Sequence, residues 1–317
     1  MTNKQKYIRL IATSIIFVVV IAALYFVSQK LNTADEMAKI NEMILEDAGH
    51  NDPKVLVQED GETKFDEDNL IDDLMNYEYF VCPDKEELQS QVETAGFELI
   101  YESSEHFVFK NNRECTIYFV RHGQTDANVA QLFAGSGTDA TLTEQGEQQA
   151  LATGKALSEV SFSDAYASEL TRTQKTAELV LSENASETPE IEVLSQWNDI
   201  DWGQVEGMPA SEVFSIYPDF NEDTYIGTAT DESFVSPIQA ETKAEVISRM
   251  HTALNQVAAE TEGNALVVGH SSMIWCLKAM FGEQVSIDGL ENASITVLQY
   301  TKGNWSLNRI NVSAEEY

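Results

Sequence analysis

An arginine and a histidine stand side by side at Arg121-His122-Gly123, directly after the apolar run Thr116 to Val120. The run reads as a buried strand, and the glycine frees the backbone to turn where the strand ends. In open α/β sheets ligands collect beyond the carboxyl ends of strands, so a histidine at such a corner is placed to meet a substrate. The same construction recurs at Ala265 to Val268, followed by Gly269-His270-Ser271-Ser272 and an apolar helical pattern from Met273 to Met280. A third unit, Asp164 to Ser168, runs into the helical stretch Glu169 to Glu178, with Ser168 as its expected N-cap and Arg172 in its first turn. Arg172 then lies near the positive end of a helix dipole, where an anion is stabilised.

These pieces, in this order, resemble the histidine phosphatase superfamily, in its phosphoglycerate mutase-like branch. The matching residues are Arg121-His122-Gly123-Gln124-Thr125 with Asn128, Leu142 to Gly146 with Gln149-Ala150, and Ser168 to Arg172 with Thr176-Ala177. Asp199 to Gly207, Glu241-Thr242 with Arg249, and Val268-Gly269-His270 complete the set, which covers roughly Thr116 to Ile310. The resemblance implies a three-layer α/β/α sandwich with a mostly parallel sheet. It also implies a phosphate pocket at Arg121, Arg172, His270, Asn128 and Thr125, and a proton donor at Asp199, where glutamate is commoner in the family.

The chemistry of these residue types is consistent with that. A neutral imidazole at His122 can attack phosphorus and carry the phosphoryl group, splitting one hard displacement into two easier ones without a metal or other cofactor. Arginine forks at Arg121 and Arg172 bind two phosphoryl oxygens in a plane, His270 supplies a third donor and the Asn128 side chain a fourth. Two roles are open to Thr125, contact with the phosphate and capping of the next segment, capping being the more frequent. For the proton donor Asp199 is preferred, with Asp201 and Glu206 as rivals. An aspartate must be desolvated or placed near negative charge to keep its proton near neutral pH. The remaining histidines, His50, His106 and His251, show no metal-ligand spacing, and no P-loop or paired Cys-x-x-Cys occurs.

The residues 1–9 read as a cytoplasmic tail carrying Lys4, Lys6 and Arg9, ahead of the charge-free apolar run Leu10 to Val27. That run is long enough to cross a bilayer, so residues 10–28 are expected to form a single transmembrane helix acting as an uncleaved signal anchor. The positive-inside bias then puts the catalytic part outside the cytoplasm, at the cell membrane. Residues 29–75 are expected to be an acidic juxtamembrane linker, with Met37, Ile40, Ile44 and Ala48 at helical spacing, a capping box at Thr33 and Glu36, and a flexible spacer from His50 to Asp73. Residues 76–114 read as a small β-α-β-β unit with a helix over Asp84 to Ala95, and 115–317 as the phosphatase domain. Cys82 and Cys115 are candidates for a disulfide outside the cell, and Cys276 for a buried thiol.

The net charge is −34, from 53 acidic and 19 basic residues, which disfavours nucleic acid and polyanionic ligands as partners. The segment Met208 to Gln239 holds Phe214, Tyr217, Phe220, Tyr225 and Phe234 but no lysine or arginine. That pattern suits a small phosphomonoester with a neutral or apolar leaving group. The reading is therefore a metal-independent phosphomonoester hydrolase. Phosphoglycerate mutase activity is the nearest alternative, and a non-catalytic surface ligand-binding protein on the same fold is the alternative of another class.

Overall fold

The computed structural model describes residues 8–11, 31–49, 52–58, 70–83, 89, 92–103 and 106–317. The chain divides into two units, one of Met1–Glu114 with Ala258–Glu260 and Tyr300–Asn304, the other of Cys115–Val257, Thr261–Gln299 and Trp305–Tyr317.

The first unit is built on five strands: β1 (Ile8–Ile11), β2 (Lys54–Val57), β3 (Tyr79–Pro83), β4 (Phe97–Glu102) and β5 (His106–Asn111), in the order β1-β2-β3-β5-β4. Only β2 and β3 pair in parallel; the other neighbours are antiparallel. Helix α1 (Leu31–Ala48) turns Met37, Ile40 and Ile44, spaced three and four apart, onto Val55, Tyr79, Val81 and Val108. A short helix α2 (Leu70–Leu74) follows β2 in the chain.

Three expectations for this region change. Besides the helix that the spacing of Met37, Ile40, Ile44 and Ala48 announces, the stretch read as a linker carries β2 and α2. Thr33 lies inside α1 rather than ahead of it, and the Glu36 carboxylate meets the Ser103 hydroxyl and stands 3.6 Å from His106 Nδ1. Cys82 and Cys115 are each a buried thiol, with no disulfide between them. Of the helix expected over Asp84 to Ala95, residues 89 and 92–94 are helical, and most of the remainder lies outside the described residues.

No helix among the described residues is long and apolar enough to cross a membrane. The expected span 10–28 lies outside the described residues except for Leu10 and Ile11, which belong to β1 and pair with Val55 and Lys54.

The second unit holds a six-stranded sheet of β6 (Glu114–Arg121), β7 (Asp164–Ala167), β8 (Ile191–Val193), β9 (Gly263–Gly269), β10 (Ile295–Thr301) and β11 (Asn304–Val312), ordered β11-β10-β6-β9-β7-β8. The four strands β6, β9, β7 and β8 run parallel. Helices α3 (Asp126–Val129), α4 (Glu144–Ala156), α5 (Thr171–Ser182), α6 (Ala210–Ile216), α7 (Glu222–Tyr225), α8 (Lys243–Glu260) and α9 (Met273–Phe281) complete it. One face of the sheet packs Val120, Ala165, Ala167, Leu266 and Val268 with Leu157 after α4 and with Ala177, Val180 and Leu181 of α5. The residues that alternate with these, Ile117, Phe119, Tyr166 and Val267, are buried too, so both faces are covered, as parallel strands require.

Strand register is what assembles the site. Arg121 pairs with Gly269, and Ala167 with Val268. His122, His270 and Ser168 therefore leave three adjacent parallel strands at nearly the same level, at their carboxyl ends.

Candidate active site

His122 sits where β6 turns. Its backbone N–H donates to the Gly269 carbonyl at 3.0 Å, and Gly123 N–H donates to Thr176 Oγ1 at 3.1 Å. The turn passes so close to the start of α4 that a Cβ on Gly123 would lie 2.3 Å from the Gly146 carbonyl oxygen, so only glycine fits. The imidazole is 3% exposed, and its Nδ1 lies 2.8 Å from the Gly123 carbonyl. A carbonyl can only accept, so Nδ1 carries the proton and Nε2 keeps its lone pair. Burial above all, then the neighbouring His270 ring and the positive charges of Arg121 and Arg172, hold the His122 pKa well below its ordinary 6.5. The ring is thus neutral at physiological pH and nucleophilic at Nε2.

Two guanidinium groups flank it. Arg172 is 2% exposed; its Nη1 donates to the Thr138 carbonyl at 2.7 Å and its Nη2 to the Gly135 carbonyl at 3.1 Å. Arg121 Nη1 donates to the Leu290 carbonyl, while its buried Nε has no hydrogen-bond partner. Burial lowers both arginine pKa values, Asp199 opposing in each case, and both groups stay charged. A buried, unmatched N–H beside a second fixed guanidinium is a site prepared for an anion.

Asp199 stands across from them. Its Oδ2 is 3.5 Å from Arg172 Nη2 and 3.5 Å from His270 Nδ1, while its Oδ1 accepts from Ser272 Oγ at 2.6 Å and from the Ile200 N–H at 3.0 Å. The rivals are occupied elsewhere. Glu206 accepts from Gly135 N–H, Thr138 Oγ1 and Trp202 N–H at 2.6 to 3.0 Å, which makes it the organiser of the loop that holds Arg172. Asp201 accepts from Gly203 N–H at 2.7 Å and does not line the cavity that His122 lines.

That cavity, about 520 Å³, is lined by Arg121, His122, Thr125, Asn128, Arg172 and Asp199 on one side. Leu132, Phe133, Trp202 and Phe214 form much of the rest. Phe133 packs edge-on against Trp202, with ring centroids 4.9 Å apart, and against Phe220 at 5.2 Å. His270 is not part of the cavity wall. It lies wholly buried behind it, its ring centroid 5.3 Å from that of His122, and burial followed by Arg172, Arg121 and Arg249 holds its pKa well below 6.5.

Several of these side chains have defined partners. Thr125 caps α3: its hydroxyl accepts from Asn128 N–H, and Asn128 Oδ1 accepts from Thr125 N–H, each at 3.1 Å. Asn128 Oδ1 also accepts from Asn292 Nδ2 at 3.1 Å, which fixes the amide and leaves Asn128 Nδ2 as its available donor. Ser168 is not an N-cap; Leu170 holds that position without a side-chain bond, and Ser168 Oγ meets His270 Nε2 at 2.8 Å.

Sequence reasoning passed over several contributors. Asn292 donates to both the His122 carbonyl and Asn128, from a loop with no motif. Phe133 and Trp202 wall the cavity, and Ser272 holds Asp199. Ser272 was findable, since it follows the second Gly-His corner by two residues. Arg249, matched earlier without a role, spends its guanidinium on Glu241 and on the carbonyls of Gln196, Asn198 and Asp199 at 2.6 to 3.1 Å, pinning the segment that presents Asp199.

The chain is similar to several known proteins. The family model described as histidine phosphatase superfamily (branch 1) matches residues 117–313. A 2,3-bisphosphoglycerate-dependent phosphoglycerate mutase of Bartonella tribocorum is 38% identical over 100 residues, 31% of this chain and 48% of that protein. Fructose-2,6-bisphosphatase TIGAR of Mus musculus is 37% identical over 95 residues, 30% of this chain and 35% of that protein. The match thus spans less than half the length of either relative. An uncharacterized phosphatase PhoE of Bacillus subtilis is 27% identical over 202 residues, 62% of this chain and 95% of that protein. In fold, a phosphoglycerate mutase from Bacillus anthracis superposes with a TM-score of 0.55 at 23% identity, over 63% of this chain and 94% of that one. With a family match that spans more than half its length, the chain belongs to the histidine phosphatase superfamily, branch 1.

Proposed function

We propose that the protein is a metal-independent phosphomonoester hydrolase working through a phosphohistidine on His122. The observation that carries this is the His122 Nδ1 to Gly123 carbonyl bond of 2.8 Å, which leaves Nε2 bare on a residue that lines the same cavity as Arg121 and Arg172. In the first step Nε2 attacks phosphorus and the ester oxygen departs, taking a proton delivered through Asp199, a carboxyl group that lines the cavity. In the second, water attacks the phosphorus, returns its proton to Asp199 and frees His122 with inorganic phosphate. Arg121 and Arg172 stabilise the equatorial oxygens in both steps.

The cavity supports a small substrate with one phosphate. Among the described residues Arg121 and Arg172 are its cationic lining, and its wall of Leu132, Phe133, Trp202 and Phe214 suits an apolar leaving group. Mutase activity is the second reading, favoured by the 38% identity to the Bartonella enzyme over 100 residues. A hydrolysis screen of the full chain over phosphomonoesters, with and without chelator, tests the proposal. Metal-independent release of phosphate from monoesters is expected; a strict divalent-ion requirement, or transfer between phosphoglycerates without hydrolysis, contradicts it.

Anchoring at the cell membrane with the catalytic unit outside the cytoplasm is also proposed, on the charge-free run Leu10 to Val27 and the cations Lys4, Lys6 and Arg9 that precede it. This topology and the pairing of Ile8–Ile11 with Lys54–Val57 exclude each other, because a crossing between residues 11 and 31 puts the two strands on opposite sides. Protease added to cells with the outer envelope opened separates them. Digestion of the catalytic unit with a protected amino terminus is the anchored outcome, and protection of both ends contradicts it.

A further inference from the structure

His270 is wholly buried, and its two ring nitrogens meet different surroundings. Nε2 lies 2.8 Å from Ser168 Oγ, whereas Nδ1 has no hydrogen-bond partner and faces Asp199 Oδ2 at 3.5 Å. Which nitrogen carries the proton follows from the hydroxyls beyond. Thr173 Oγ1 lies 2.7 Å from the Leu170 carbonyl, a contact that only a Thr173 O–H donor makes favourable. Ser168 Oγ, 2.7 Å from Thr173 Oγ1, must then donate to it. The Ser168 proton is thereby committed. Its lone pairs accept from the Leu170 N–H at 3.3 Å and from His270 Nε2, which is therefore protonated. The reverse assignment leaves the close Thr173 to Leu170 contact with no proton between two oxygens.

Neutral His270 consequently offers the site a lone pair at Nδ1 and no donor. Asp199 Oδ2 lies equally far from Arg172 Nη2 and His270 Nδ1, and so marks the position an anionic oxygen takes between them. Oδ2 has no closer partner there, while Oδ1 is held by Ser272 and the Ile200 N–H. A phosphoryl oxygen that displaces Oδ2 meets Arg172 on one side and a bare nitrogen on the other.

Resting on the phosphatase reading, we propose that phosphate binding loads one proton onto His270 Nδ1, and that Ser168 is the positioning residue that makes this the nitrogen facing the site. The balance is simple: neutral His270, a proton from solvent and a phosphate dianion give an imidazolium donating from Nε2 to Ser168 and from Nδ1 to phosphate. The charged and titratable groups around His270 are Arg121 on β6, His122 at its end, Arg172 on α5, Arg249 on α8 and Asp199. Burial and the three arginines oppose its protonation. The incoming dianion offsets them, and the proton goes to the one nitrogen that lacks it.

The test is calorimetric titration of the full chain with inorganic phosphate at about pH 8, where phosphate is a dianion, in buffers of different ionisation enthalpy. Uptake of close to one proton per phosphate bound is expected, and it should persist in His122→Asn, which removes the other candidate nitrogen. In Ser168→Ala the ring is free to turn its N–H toward the site, and uptake should fall toward zero. Ring ¹⁵N spectra of the native protein provide the check that needs no variant at Ser168. His270 should carry a proton on Nε2 alone without phosphate and on both nitrogens with it. Binding without proton uptake, or a free-state proton on Nδ1, overturns the inference and leaves the phosphatase reading intact. Absence of both phosphate binding and hydrolysis overturns the two together.

Discussion

At the scale of single residues, the site works by fixing protons and charges before substrate arrives. The fork of Arg172 is committed to two carbonyls and to Asp199, so Arg172→Lys keeps the charge and loses the geometry. A loss of about 2 to 4 kcal/mol in transition-state stabilisation is expected, read from kcat/KM. Asp199→Asn should slow alkyl phosphates far more than p-nitrophenyl phosphate, by a factor on the order of 10² to 10⁴ for the former. Equal slowing of both would make Asp199 a positioning group only. The buried histidines also set a pH dependence of stability. His122 and His270 have pKa values well below 6.5 when folded, so the unfolded chain binds protons that the native state refuses as pH falls below 6.5. Their contribution is complete above that pH and is lost on acidification, by up to about 1.4 kcal/mol per pH unit for each histidine. Urea unfolding at two pH values should show the native protein losing more stability than His270→Asn; equal losses would contradict the assignment.

At the scale of elements, the site depends on register and on one clamp. The strand ends that carry His122, Ser168 and His270 were legible, because each apolar run stops at a histidine beside a glycine or at a serine. Which strands adjoin which is a tertiary fact, decided by pairing across more than 140 positions from Arg121 to Gly269, and short-range pattern cannot supply it. The link from Arg249 to Asp199 was hidden for the same reason, since Arg249 lies midway along α8 and reaches back about 50 positions to the carbonyls of Gln196, Asn198 and Asp199. Arg249→Ala should lower kcat with little change in KM for p-nitrophenyl phosphate, and should cost about 1 to 3 kcal/mol of stability through the unmatched Glu241 and carbonyls. A variant with native kcat would remove Arg249 from the positioning of Asp199.

At the scale of the whole molecule, the catalytic unit was far more readable than the first. Its motifs are long and ordered, whereas β1 and β2 are four residues each and β2 lies within an acidic stretch, too short for period-two alternation to stand out. α1 was visible through Met37, Ile40 and Ile44, but not the sheet it packs on. The net charge of −34 acts on every encounter with substrate. It repels polyanions over distances that salt screens, so KM for a doubly phosphorylated substrate should fall as salt is added, while KM for a monoester with an apolar leaving group should change little. The same salt response for both would remove net charge from the selection of substrate.

The central claim is the phosphoryl group on His122. Rapid acid-free quenching of the full chain with a ³²P-labelled monoester, followed by peptide mapping, measures it directly. The account predicts label on the peptide containing His122, stable to base and lost in acid, and absent together with turnover in His122→Ala. Undiminished hydrolysis by His122→Ala, or label on another residue of the native protein, would contradict it.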